Sequence, residues 1–151
     1  MFVCIDKKYF KGILLSAIAI MVLSVVLNSI GSMFTMGYYT DPAYFAVWSK
    51  AMMPSAGPPP LSFFLLALLF SFIPGLAYAG AYSIFMKSVP GKNAVEKGLF
   101  FGAVMFLVGG LPGMFSMYLL INLPLMLIVS WTAESAIGSL LYGVIIAKMV
   151  K

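Results

Sequence analysis

The chain has no histidine, one cysteine (Cys4) and few charges, which make up 9% of its 151 residues. Without histidine there is no imidazole ligation of haem, no His–Asp proton relay and no ordinary zinc site. A single cysteine excludes an intrachain disulfide framework. Because Cys4 precedes the first apolar run, it reads as an inert cytoplasmic thiol. A soluble domain carries about 25% charged residues. This chain has too little polar surface to coat a water-exposed globule, so a water-soluble enzyme is not expected. No nucleophile–base pair, no glycine-rich loop after a strand and no basic-aromatic stripe for nucleic acid stands out. The expectation is a non-enzyme with no cofactor and no nucleic-acid partner.

What the chain does have is apolar length. Hydrophobic residues make up 63% of it, and its mean hydropathy is +1.09. A helix needs about 20 apolar residues to cross a hydrocarbon core about 30 Å thick. Four stretches meet that length: residues 12–36, 61–86, 98–121 and 125–147. Asn122, Leu123 and Pro124 alone join the last two, which predicts a tight hairpin, with Pro124 suited to a helix start. The fold expected is all-α: an integral membrane four-helix bundle forming a single domain.

Lysine placement predicts orientation. Lys7, Lys8 and Lys11 precede span one, Lys87, Lys92 and Lys97 lie between spans two and three, and Lys148 and Lys151 follow span four. All fall on one side of a four-span arrangement, and only Lys50 falls on the other. Both termini are therefore expected in the cytoplasm, with a basic rim that attracts anionic headgroups. The apolar run of span one exceeds the usual 7–15 residues of a signal peptide, and no A-x-A site follows it, so it reads as a retained helix.

The long connection from Gly37 to Pro60 carries Asp41-Pro42, an N-cap followed by proline at the first helical position. Phe45, Trp48 and Met52 then recur at helical spacing beside Tyr44. This predicts a short amphipathic helix at the outer interface between spans one and two. Tyr44 and Trp48, with Trp131 of span four, are the expected interface anchors. A lid over an outward-opening site is the functional alternative. The triple proline, Pro58 to Pro60, gives a stiff lead into span two. On the other side, Pro90-Gly91 is a turn pair, and Asn93 with Glu96 resembles a capping box.

In lipid, burial of apolar surface does not drive helix against helix, and close backbone contact through small residues takes over. At 100° per residue, Gly98, Gly102, Gly109, Gly113 and Ser116 of span three fall within roughly 60° of one another. Span two has Ala67, Ser71, Gly75, Ala79 and Ser83; span four has Ala136, Gly143 and Ala147; span one has Ala17, Ser24, Asn28, Gly31 and Thr35. Every span thus has a small or polar face for packing. Pro74 and Pro112 sit inside spans and invite kinks.

Glu134 is the one acid inside a span. Fourteen residues separate it from Lys148, roughly 21 Å at helical rise. An ionisable group at that depth is a functional candidate by default. Asn28 lies at similar depth on span one, and Asn28 with Ser130 or Ser135 is expected to hydrogen-bond Glu134. The competing reading is a structural glutamate that ties helices together. Twelve methionines include the pairs Met33/Met36, Met52/Met53 and Met114/Met117 toward the outer side. Thioethers suit Cu(I), but methionine is more often a gap filler, so no metal is the primary expectation.

The chain also resembles a group of small bacterial membrane proteins with four spans and no established activity. The resembling residues are Trp48 with Met52-Met53, the apolar span from Leu61, Glu96-x-Gly98-x3-Gly102, Pro112, Pro124 and Gly143, over residues 47–148. The resemblance implies a four-helix fold in a prokaryotic cytoplasmic membrane and transfers no functional residue. Two functions fit these readings. One is a non-catalytic accessory or scaffold subunit that packs against itself or other membrane proteins. The other is an oligomeric transporter or channel for protons, ions or a small solute, built on Glu134.

Overall fold

The computed structural model describes residues 7–48 and 61–151. Four long helices account for most of them: α1, Lys7–Thr40; α2, Leu61–Phe85; α3, Ala94–Leu120; and α4, Leu125–Met149. All four are long and apolar enough to cross a membrane, and the described residues include no strand. Lys50, Met52, Met53, Cys4 and the triple proline lie outside the described residues.

α1, α3 and α4 run past the expected spans, and at the start of α3 a cap rather than hydropathy sets the end. At 1.5 Å per residue, the 34 residues of α1 extend roughly 51 Å, well past an apolar core. Its first turn therefore carries Lys7 and Lys8 beyond the oily segment, where long side chains reach polar surroundings. α3 begins at Ala94 because Asn93 caps it. The Asn93 side chain accepts the backbone N–H groups of Val95 and Glu96 at 3.0 and 2.9 Å. Glu96 completes the motif one residue earlier than a strict capping box, accepting the Lys92 N–H and the Asn93 amide, both at 2.8 Å. Gly91 makes the preceding turn with φ +139°, a conformation that favours glycine.

At the opposite end, Asp41 accepts the Ala43 N–H at 2.9 Å and opens a turn at Pro42–Tyr44 that continues helically through residue 48. Pro124 occupies the N-cap of α4, one position before the first helical residue.

The starts of α1 and α3, the ends of α2 and α4 and eight of the nine lysines share one end of the bundle, which we call the lysine end. There Gly12 lies against the backbone of Met149 and Val150. Lys97 donates to the Met86 carbonyl at 3.5 Å, tying α3 to the end of α2. The other end, with the α3–α4 turn, is the hairpin end.

α1 packs along α2 and α4, and α4 packs along α3; α2 does not run packed along α3. These two meet at the lysine end, where Tyr82 and Phe101 stack edge-on at 5.1 Å. The buried core sits there too, built from Ile13, Ile20, Ala79, Tyr82, Phe101 and Ile146 with their neighbours. A second, smaller cluster at the hairpin end gathers Leu123, Leu127 and Ile128 under Tyr38, Trp48 and Trp131.

α3 is not a uniform helix. Its turn at Phe106–Gly110 is π-helical, with the Leu111 N–H bonding the Phe106 carbonyl five residues back. Pro112 explains the place: it has no N–H for the Val108 carbonyl, and its ring crowds that oxygen. A wider turn just before the proline relieves both.

Candidate functional site

Glycine governs how closely the helices approach at the lysine end. A Cβ on Gly98 would lie 2.5 Å from Val144 Cα, and one on Gly102 would lie 2.8 Å from Leu140 Cα. Gly143 faces back at them and leaves no room for a Cβ beside the Gly98 carbonyl. Gly75 of α2 meets Ala17 of α1 the same way, at 3.0 Å. Just above these contacts, a void of about 10 Å³ is all that remains between Phe101, Gly102, Ser139 and Tyr142.

The other two glycines of the α3 stripe do not share this role. Among the described residues a Cβ on Gly113 would meet nothing within 4 Å, and one on Gly109 only the Tyr78 hydroxyl, at 4.0 Å. The π turn is the reason. One extra residue in that turn rotates the Gly109–Gly113 stripe away from α4, and Gly110 takes the facing position instead. A Cβ on Gly110 would lie 2.9 Å from Ser135 Oγ. Gly110 was not legible from a constant 100° step, although Gly109-Gly110-x-Pro112 contains the signal for a distorted turn.

Toward the hairpin end the helices stand apart around a cavity of about 760 Å³. All four line it: Ser24, Leu27 and Asn28 from α1, Phe64, Ser71 and Tyr78 from α2, Met105, Gly110 and Met114 from α3, and Trp131, Glu134, Ser135, Ser139 and Tyr142 from α4. The α4 lining follows residues 131, 134, 135, 138, 139 and 142, one helical face. Ser130 turns off that face and does not line the cavity.

Glu134 and Asn28 therefore share one cavity, but the expected hydrogen bond between them does not form. Among the described residues no hydrogen bond reaches the Glu134 carboxylate from Asn28, Ser130 or Ser135. Instead the carboxylate lies on Gly31, three residues along α1 from Asn28, where the missing side chain leaves it a seat. No buried side-chain oxygen or nitrogen among the described residues lacks a partner, so the carboxylate oxygens open onto the cavity. Tyr39 and Tyr142 share the cavity wall with Glu134. Neither tyrosine was singled out by sequence, although a tyrosine inside an apolar span is a visible signal.

The serines of the wall are largely self-satisfied. Ser71 donates to the Ala67 carbonyl at 2.9 Å and Ser24 to the Met21 carbonyl at 2.8 Å, each within its own helix. They make the wall polar without tying helices together.

Two of the expected interface anchors, Trp48 and Trp131, pack on one another. Trp48 donates its Nε1–H to the Tyr38 carbonyl at 3.0 Å, one of the unpaired carbonyls at the end of α1. Its ring lies 4.7 Å from Tyr39 and 6.5 Å from Trp131. Trp131 and Tyr39 also line the cavity, so this aromatic group forms part of its rim. Tyr44 is half-buried in the turn before Trp48.

The methionines are dispersed. Met33 and Met36 point outward, 80% and 59% exposed, whereas Met114 lines the cavity and Met117 packs on the hairpin cluster. Among the described residues no three of His, Cys, Asp or Glu gather as metal ligands. Comparison with protein-family models, curated proteins and solved structures finds no match to this chain.

Proposed function

We propose that the chain is a bacterial integral membrane protein that binds a small solute in the hairpin-half cavity and moves it across the cytoplasmic membrane. Glu134 is the ionisable group of the site and Asn28 its polar neighbour. The lysine end faces the cytoplasm, where Lys and Arg accumulate, and the cavity belongs to the outer half of the bilayer. The observation that carries this reading is the cavity itself: about 760 Å³ lined by the one intramembrane acid. Sites for small molecules have volumes of about 300–1,000 Å³, with a few polar groups set in an apolar wall.

Cysteine accessibility tests it. In a Cys4→Ser background, Asn28→Cys should react with an impermeant maleimide added outside the cell, and Ala79→Cys in the lysine-end core should not. Equal protection of both sites would remove the proposal. Glu134→Gln separates site from scaffold: unchanged assembly with lost transport supports the site, and lost assembly supports a structural glutamate.

A second reading rests on the face of α3 left uncovered by the π turn. Gly109, Gly113 and Ser116 keep an exposed small-residue stripe that no described helix of this chain packs along. Such stripes let membrane helices approach closely. On this reading the chain is a non-catalytic accessory subunit, packing against a second copy or another membrane protein. Oligomeric state in native-lipid particles, compared between the natural chain and Gly113→Leu, tests it; an unchanged state removes it.

A further inference from the structure

We infer that the ligand of the cavity is a lipophilic organic cation, an ammonium- or phosphonium-type centre on an apolar body, which reaches Glu134 sideways between α2 and α3. The inference rests on the solute-binding reading above and adds the ligand's chemistry and route.

Charge comes first. Among the described residues Glu134 is the only formal charge in the cavity wall, and no lysine lines it. An anion would meet a lone carboxylate with no compensating charge. A neutral solute gives the carboxylate no partner for its charge, so the group would hold a proton and add nothing to binding as an ion. A cation neutralises it, and the pair costs less there than either ion alone.

The kind of cation follows from the rest of the wall. A hard metal ion takes about six or more oxygen ligands held close together. Here a single carboxylate stands in a space of about 760 Å³, with no cluster of metal-ligating side chains among the described residues. Trp131, Tyr39 and Tyr142 share the cavity wall with Glu134 instead, and Phe64 lines it from α2. Aromatic faces attract organic cations and are chemically suited to the apolar groups those cations carry.

The route follows from helix packing. α2 and α3 are joined by Tyr82 and Phe101 at the lysine end; beyond that pair Tyr78 still reaches α3, its hydroxyl 4.0 Å from a Cβ on Gly109, but the two helices do not run packed along each other. The cavity walls on these two helices are thus the two sides of an opening toward lipid. Amphiphilic cations concentrate in the bilayer, so a lateral entrance meets them there.

The test uses two probes of one shape and opposite charge: tetraphenylphosphonium and tetraphenylborate. Binding to the full chain in lipid nanodiscs is measured by equilibrium dialysis. Tetraphenylphosphonium should bind saturably, and tetraphenylborate at least about tenfold more weakly. Glu134→Gln should weaken the phosphonium by about tenfold or more, as loss of a charged contact implies. Glu134→Asp should recover part of it. Trp131→Phe, which keeps a ring but weakens its cation attraction, should cost roughly three- to tenfold. Size-exclusion profiles and helical circular dichroism check that each variant is folded.

Equal binding of both probes, or phosphonium binding indifferent to Glu134→Gln, overturns the cation inference. If Asn28→Cys still labels from outside in that case, the solute-binding reading survives it. If neither probe binds and Asn28→Cys is protected, both fall.

Discussion

At the lysine end, Gly98 and Gly102 press so tightly on Gly143 and its neighbours that no Cβ fits between α3 and α4. A few turns along the same helices, a Cβ on Gly113 would meet none of the described residues within 4 Å, and the helices line an open cavity of about 760 Å³. Composition hardly differs between the halves: both carry small residues at helical spacing and apolar residues outside. The difference is geometric. In the lysine half the small faces meet one another. In the hairpin half the π turn rotates the α3 face away, and α2 leaves α3. A small-residue stripe permits close approach without selecting the partner. One half is therefore shut by its glycines, and the other is left with a cavity.

Four substitutions test that contrast, each read by unfolding in mixed micelles. The largest effect is expected at Gly143→Ala, whose Cβ would overlap the rigid backbone at Gly98. It should cost about 3 kcal/mol, the upper range for overpacking. A loss under about 1 kcal/mol would mean that the glycine contact is loose. Gly31→Ala comes next, at about 1–2 kcal/mol. Its Cβ meets the movable end of Glu134 rather than backbone, and the carboxylate can swing into the cavity. A cost equal to that of Gly143→Ala would show Glu134 locked in place and the two halves alike.

Asn93→Ala removes the cap of α3 at the lysine end and should cost about 1 kcal/mol. Its effect should add to that of Gly31→Ala, because the two sites share no partner. Strong coupling between them would show that the halves do not act separately. The smallest effect belongs to Gly113→Ala. With nothing near its Cβ, it should be neutral or stabilise by up to about 1 kcal/mol through helix propensity. Marked destabilisation would reveal a partner covering that face, in favour of the accessory reading.

Several parts of this arrangement were legible beforehand. The four apolar runs, the Asp41 and Asn93 caps and the tight turn at Pro124 all depend on neighbours in sequence. The sharing of one cavity by Glu134 and Asn28 was also within reach, because helical rise places them at equal depth. The missing hydrogen bond between them was not. It depends on Gly31, one turn from Asn28, offering the carboxylate a seat on the helix surface. Ser130 fell away for a related reason: equal depth says nothing of facing. The split of the α3 stripe was hidden because periodicity assumes a constant step, and the Phe106–Gly110 turn does not keep it.

Hydropathy, caps and turns are local properties, so residue order was enough to set the number of helices, their ends and the gathering of lysines on one side. Which helices touch depends on contacts between distant residues: Gly98 with Val144, Gly75 with Ala17, Tyr82 with Phe101. These settle where the bundle is shut and where it opens. Glu134 has its place in a cavity wall because α2 and α3 part above Tyr82 and Phe101, and that separation follows from packing across the bundle rather than from any stretch of neighbouring residues.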